Sequence, residues 1–129
     1  MKNKNATFGM KKLFDLSYLH SLSEDPSFVP QMIQTFLNIV PTQIESLKEA
    51  VEKDDAKQTS LVLHQIKPSM QVFGYNTIIP EISALELFAK TGNAPSSQID
   101  RYVELIDDIS QCITSIKQLQ KENEQLPER

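Results

Sequence analysis

Ile99, Tyr102, Ile106, Ile109, Ile113 and Ile116 recur at spacings of three and four residues. That period puts all six on one side of an α-helix, whereas a strand would scatter them over both faces. Residues from about 97 to 124 therefore read as one long amphipathic helix, the seam of a bundle or coiled coil. Such a stripe has to be covered by other helices. The rest of the chain supplies them, because it holds only three glycines and little β-branched alternation. The expected fold class is all-α.

The chain has 129 residues, 40% of them hydrophobic, which suits one domain with one modest core. Its net charge is −4. No basic cluster could track a phosphate backbone, so nucleic acid is not an expected partner. The lysine-bearing start, Met1 to Lys12, has no apolar centre and is not a signal peptide. No apolar run approaches the roughly 18 residues that span a bilayer. Cys112 is the single cysteine. It fits a packed small residue in a reducing, cytoplasmic setting.

Residues 1–12 read as a flexible N-terminus, 13–125 as the helical domain and 126–129 as a tail. Leu13, Phe14, Leu16, Leu19 and Leu22 suggest a short first helix capping one end of the core. After the Ser23–Pro26 break, a second helix starts near Ser27, with Phe28, Met32, Phe36, Ile39, Val40, Ile44, Leu47 and Val51 as its stripe. Pro41 is expected to kink or divide it. Asp54 and Asp55 can cap a third helix that ends at Gly74. Thr77 is a candidate N-cap for a fourth, with Ile78, Ile82, Leu85 and Ala89 on its buried face and Gly92 at its end. Short connections between long helices imply antiparallel neighbours. The expected architecture is an up-down antiparallel four-helix bundle with a short N-terminal capping helix.

The third helix carries the run His64-Gln65-Ile66-Lys67-Pro68-Ser69. At about 100° per residue, Val62, Ile66, Ser69 and Phe73 fall within about 40° of the pole opposite His64, with Met70 at their edge. Lys57, Ser60, Pro68 and Gln71 fall within about 40° of the histidine, and Leu61 and Lys67 about 60° to either side. His64 thus faces water with a cation one turn away. Two readings stand: a nucleophile that carries a phosphoryl group, or a surface histidine without a role. Lys67 either offsets the charge of roughly −2 that a phosphoryl group brings, or is a solvated lysine. Pro68 removes a backbone donor to the His64 carbonyl at about 3 kcal/mol. It either keeps the histidine approachable or is a tolerated kink. Glu86, on the following helix, comes level with His64 if the two helices are antiparallel. It either accepts Nδ1–H, leaving Nε2 as the nucleophile, or pairs with Lys90. No ligand set for zinc or a di-iron site, no glycine-rich phosphate loop and no kinase signature is present.

The run "LHQIKPSMQVFG" resembles the histidine-containing phosphotransfer (HPt) domain of multistep phosphorelays. His64, Lys67, Ser69 and Gly74 match the pattern His-x-x-Lys-Gly-Ser-x-x-x-x-Gly in register. The segment from Asp15 to Val51 and the run "ALELFAKTGN" resemble the family's flanking helices, so the likeness covers about residues 13–120. Pro68 stands where the family usually has glycine. Glu86 stands where it often has a glutamine that bonds the histidine.

The resemblance implies a phosphocarrier rather than an enzyme, with His64 accepting a phosphoryl group from a receiver-domain phospho-aspartate and returning it to another. Lys67 would neutralise charge and Glu86 orient the imidazole. Leu61, Pro68, Gln71 and Tyr75 would form the docking surface. The implied partners are response-regulator receiver domains and a hybrid histidine kinase. No cofactor is implied on this chain, Mg²⁺ belonging to the receiver, and a monomer is expected. The alternative is an unphosphorylated helical adaptor that binds and inhibits a receiver or kinase. A general-base enzyme ranks last, because a convex helix face offers no substrate pocket.

Overall fold

The computed structural model describes residues 14–125. The expected flexible segment 1–12, Leu13 and the tail 126–129 lie outside the described residues. Among them the chain forms α1 (Ser17–Leu22), α2 (Phe28–Glu52), α3 (Ala56–Val72), α4 (Ile79–Lys90) and α5 (Ile99–Gln125), with a 3₁₀ turn at Pro95–Gln98 and no strand. The long amphipathic helices follow the three-four periodicity of the sequence. Pro41 does not divide α2, which runs unbroken through it. Pro68 likewise sits inside an unbroken α3.

Three helices end in the same way, and the residue at each stop explains it. After α3, the Gly74 N–H donates to Gln71 O and the Tyr75 N–H to Met70 O, both at 3.0 Å. After α4, Gly92 and Asn93 repeat the pattern on Ala89 and Phe88. This double closure needs a left-handed residue, and Gly74 and Gly92 provide it at φ +72° and +95°. After α2 the left-handed position falls on Asp54, at φ 57°. Its carboxylate accepts from the Ser96 N–H at 2.8 Å and from Ser96 Oγ at 3.0 Å, fastening this turn to the 3₁₀ segment. Asp55 alone caps α3, accepting from the Gln58 N–H at 3.0 Å. Of the two aspartates expected to start a helix, Asp54 terminates one instead. Thr77 is not the N-cap of α4. That position falls on Ile78, without a side-chain cap, because the turn after Gly74 runs one residue further.

Helix α3 packs against both α2 and α4, and α2 against α5. The core takes Ile33, Phe36, Val40, Ile44 and Leu47 from α2, and Val62, Leu63, Ile66 and Met70 from α3. Ile82, Leu85 and Ala89 enter from α4, and Tyr102, Leu105, Ile109, Cys112 and Ile116 from α5. Each large aliphatic side chain buried this way contributes roughly 1.5–3 kcal/mol. Leu63 is fully buried although it lies about 100° around the helix from His64, because a helix with two packed neighbours buries a wider arc than a single stripe. Ile39 and Ile99, both expected in the seams, stay 42% and 44% exposed. Ile33 takes the place given to Ile39, since the α2 stripe runs 33-36-40-44-47.

The α1 segment crosses the far end of α3. The Asp15 N–H donates to Phe73 O at 2.9 Å, and Leu19 is buried. Phe36 and Phe73 meet edge to face at 4.9 Å, joining α2 to that end. At the start of α5, Arg101 makes a bidentate bond with Glu81, both contacts 2.9 Å, which clips α5 to α4. No helix among the described residues is long and apolar enough to cross a membrane.

Candidate functional site around His64

The turn after Gly74 lays α4 back along α3. Ser60 Oγ donates to Glu86 O, and Lys67 Nζ to Ser83 Oγ, each at 3.4 Å. As the position on α3 rises, the position on α4 falls, so the two helices are antiparallel. Glu86 is thereby brought level with His64. Its Oε2 lies 2.8 Å from Nδ1 of His64, and its Oε1 lies 2.8 Å from Nζ of Lys67. One carboxylate therefore holds both α3 side chains, one on each oxygen. The pairing of Glu86 is with Lys67 and His64 rather than with Lys90.

Exposure separates the three. The His64 side chain is 71% exposed, while those of Lys67 and Glu86 are 23% and 15% exposed. The ring stands in solvent on a partly covered ionic base. Burial pushes the Glu86 carboxyl up, but hydrogen bonds from Lys67 and His64, with their charges, outweigh this and hold it below the usual glutamate range. At neutral pH it is an ionised, acceptor-only group. The proton between Glu86 and the ring therefore belongs to Nδ1, and a neutral imidazole keeps its lone pair on Nε2. Nε2 has no hydrogen bond to another described residue. The arrangement is a nucleophilic nitrogen with a fixed tautomer, facing outward.

Beside the ring lies an open groove of about 430 Å³, lined by Asp55, Lys57, Gln58, Ser60, Leu61, His64, Glu86 and Lys90. Among the described residues no group of three or more His, Cys, Asp or Glu side chains could hold a metal ion. Pro68 and Gln71 are exposed on the His64 face, as the helical wheel places them. Leu61 is 49% exposed.

Tyr75 does not belong with them. It is fully buried, packs edge-on against Phe14 at 6.2 Å and bonds through its hydroxyl to Ser115 Oγ at 2.6 Å. Burial pushes its phenol far above the usual tyrosine value. The docking assignment fails here because Gly74 turns the chain by left-handed geometry, so the α3 wheel does not continue to position 75. His20 is exposed and Cys112 is packed in the core, and neither lines the groove beside the ring. Sequence reasoning missed Ser83, whose Oγ accepts from Lys67 Nζ. Ser83 stands one turn before Glu86 on the same face, so the register that found Glu86 also pointed to it.

Comparison with known families matches residues 31–127 to the family described as Hpt domain. A comparison with curated proteins finds no match. Among solved structures, the HPT domain from the Hpt sensor hybrid histidine kinase of Shewanella is similar, with a TM-score of 0.75 at 16% identity. The alignment covers 88% of this chain and 97% of that one, a likeness of fold. The family match spans most of the chain and encloses His64, Lys67 and Glu86, and on that ground the protein belongs to the Hpt domain family.

Proposed function

We propose that this chain is a phosphocarrier of a His–Asp phosphorelay, with His64 as the phosphoryl acceptor. The observation that carries this reading is the exposed ring held through Nδ1 by Glu86 at 2.8 Å, which leaves Nε2 as the outward nucleophile. Membership of the Hpt domain family supports it. On this reading the four long helices make an up-down antiparallel bundle capped at one end by α1. The antiparallel α3–α4 register and the buried Leu19 speak for that arrangement.

The donor is a receiver domain carrying a phospho-aspartate, and the acceptor a second receiver. Nε2 attacks phosphorus, and the N–P bond forms as the P–O bond to the acyl oxygen breaks. The electron pair leaves on the aspartate carboxylate. The ring, neutral before attack, becomes a phospho-imidazolium whose Nδ1–H still points at Glu86. No proton has to move in either direction, and the same path read backwards returns the phosphoryl group to a carboxylate. Lys67 offsets the added phosphoryl charge. The receiver brings the acidic cluster and the Mg²⁺. The chain acts as a transfer intermediate without kinase activity of its own. Leu61, Pro68 and Gln71 form the docking face. A receiver domain and the hybrid kinase that bears it are the expected partners of a monomer in the cytoplasm.

The test is transfer from a panel of phosphorylated receiver domains to wild type and His64→Gln. Acid-labile, alkali-stable label on wild type alone supports the reading. If no receiver of the panel labels wild type while one still binds it, the carrier reading is refuted and an inhibitory adaptor remains.

A further inference from the structure

Resting on the phosphocarrier reading, we propose that the charge of Glu86 holds the phosphorylated state of His64 in its reactive, Nδ1-protonated form, so that the ring leaves as neutral imidazole in the next transfer. The geometry is that of one carboxylate with divided duties. Oε2 takes Nδ1 of His64 and Oε1 takes Nζ of Lys67, each at 2.8 Å. When Lys67 turns toward a phosphoryl group, Oε2 need not release the ring.

The chemistry makes the proton decisive. Breaking the N–P bond of a phospho-imidazolium sends the bonding pair back to Nε2 and releases a neutral ring with Nδ1–H intact. Without that proton, the leaving group would be an imidazolide anion, a far poorer one. Loss of the proton would also set an unprotonated Nδ1 against the carboxylate at 2.8 Å, an acceptor facing an acceptor. A glutamine at this position imposes no such penalty, because its amide can turn its NH₂ toward the ring.

The other charged groups near the ring do not do this work. On α3, Lys57 lines the groove and Lys67 is tied to Glu86. On α4, Lys90 lines the groove. Asp55 lines it too, but its side chain accepts from the Gln58 N–H at the head of α3. Helix α2, which also packs on α3, contributes no residue to that lining. Glu86 is the anion in contact with the imidazole, and the three lysines oppose it.

The experiment loads purified wild type, Glu86→Gln, Lys67→Met and His64→Gln with phosphoramidate, a small donor that needs no receiver. Loss of phosphohistidine is then followed by ³¹P NMR from neutral to alkaline pH. The expected result is that wild type holds its reactive form to higher pH than Glu86→Gln by about one pH unit, the low end for an opposite charge in contact at an exposed site. At a fixed pH on the alkaline limb, Glu86→Gln then decays about tenfold more slowly. Lys67→Met shifts the profile the other way, since it removes a cation and leaves the carboxylate unshared. Profiles for Glu86→Gln and wild type that superimpose overturn the inference. So do Glu86→Gln and Lys67→Met profiles that move together, as a shared loss of structure would make them. If wild type takes no phosphoryl group, or His64→Gln takes as much, the carrier reading itself falls and the inference with it.

Discussion

Replacing Gly74 with alanine tests whether the end of α3 is built as described. The backbone there has φ +72°, which costs an L-residue about 1–2 kcal/mol. Steric crowding adds to this. A Cβ on Gly74 would stand 2.7 Å from Asp15 Cβ and 2.8 Å from the Asp15 nitrogen. Those are backbone-anchored atoms, so the α1 segment has to move away. Moving it lengthens the 2.9 Å bond from Asp15 N–H to Phe73 O, a loss of about 1 kcal/mol. The sum is about 2–3 kcal/mol. Gly92→Ala is the natural comparison. It has φ +95° but nothing within 4 Å of the added Cβ, so only the backbone term of about 1–2 kcal/mol applies. Urea unfolding followed by circular dichroism reads both. With a slope of about 1–3 kcal/mol per molar, Gly74→Ala should lower the midpoint by about 1–2 M and Gly92→Ala by about half as much. Equal losses in the two variants would refute the argued contact between Gly74 and Asp15.

Three further outcomes follow from single side chains. Tyr75→Phe removes the hydroxyl bonded to Ser115 and to the Cys112 carbonyl. It should cost about 1–2 kcal/mol in urea unfolding while leaving the affinity for a receiver unchanged, and lost affinity at full stability would restore Tyr75 to the docking face. Glu86 is held below its unfolded value, so its contribution to stability is present above that value and disappears as pH falls through the folded one. Wild type should therefore lose more stability than Glu86→Gln on acidification into the carboxylate range, and parallel acid titrations of the two would contradict this. Pro68→Ala returns a backbone donor to the His64 carbonyl inside an unbroken helix, and thermal melts should show a gain of about 1–3 kcal/mol.

Much of this architecture is legible in the residues. Apolar spacing locates the long helices, Gly74 and Gly92 mark two of their ends, and Asp55 caps α3 as its side chain allows. The level of Glu86 with His64 follows from one assumption, an antiparallel turn at Gly74, which the α3–α4 hydrogen bonds match. What escapes sequence reasoning depends on neighbours. Periodicity says that Ile33 and Ile39 flank one stripe, but only the packing of α2 decides that Ile33 is covered. Tyr75 is aromatic and close to the motif, yet its direction is set by a left-handed residue just before it. Asp54 is a good helix starter by composition, but the chain uses its tolerance of left-handed backbone and its carboxylate on Ser96. The shared use of Glu86 by Lys67 appears only when α3 and α4 are set side by side.

The most direct measurement is long-range ¹H–¹⁵N NMR of the His64 ring, before and after incubation with a phosphorylated receiver. The account predicts a proton on Nδ1 before transfer and phosphorus on Nε2 after it, with Nδ1–H retained. Phosphorus on Nδ1, or an unmodified ring after the receiver has lost its phosphoryl group, would contradict it.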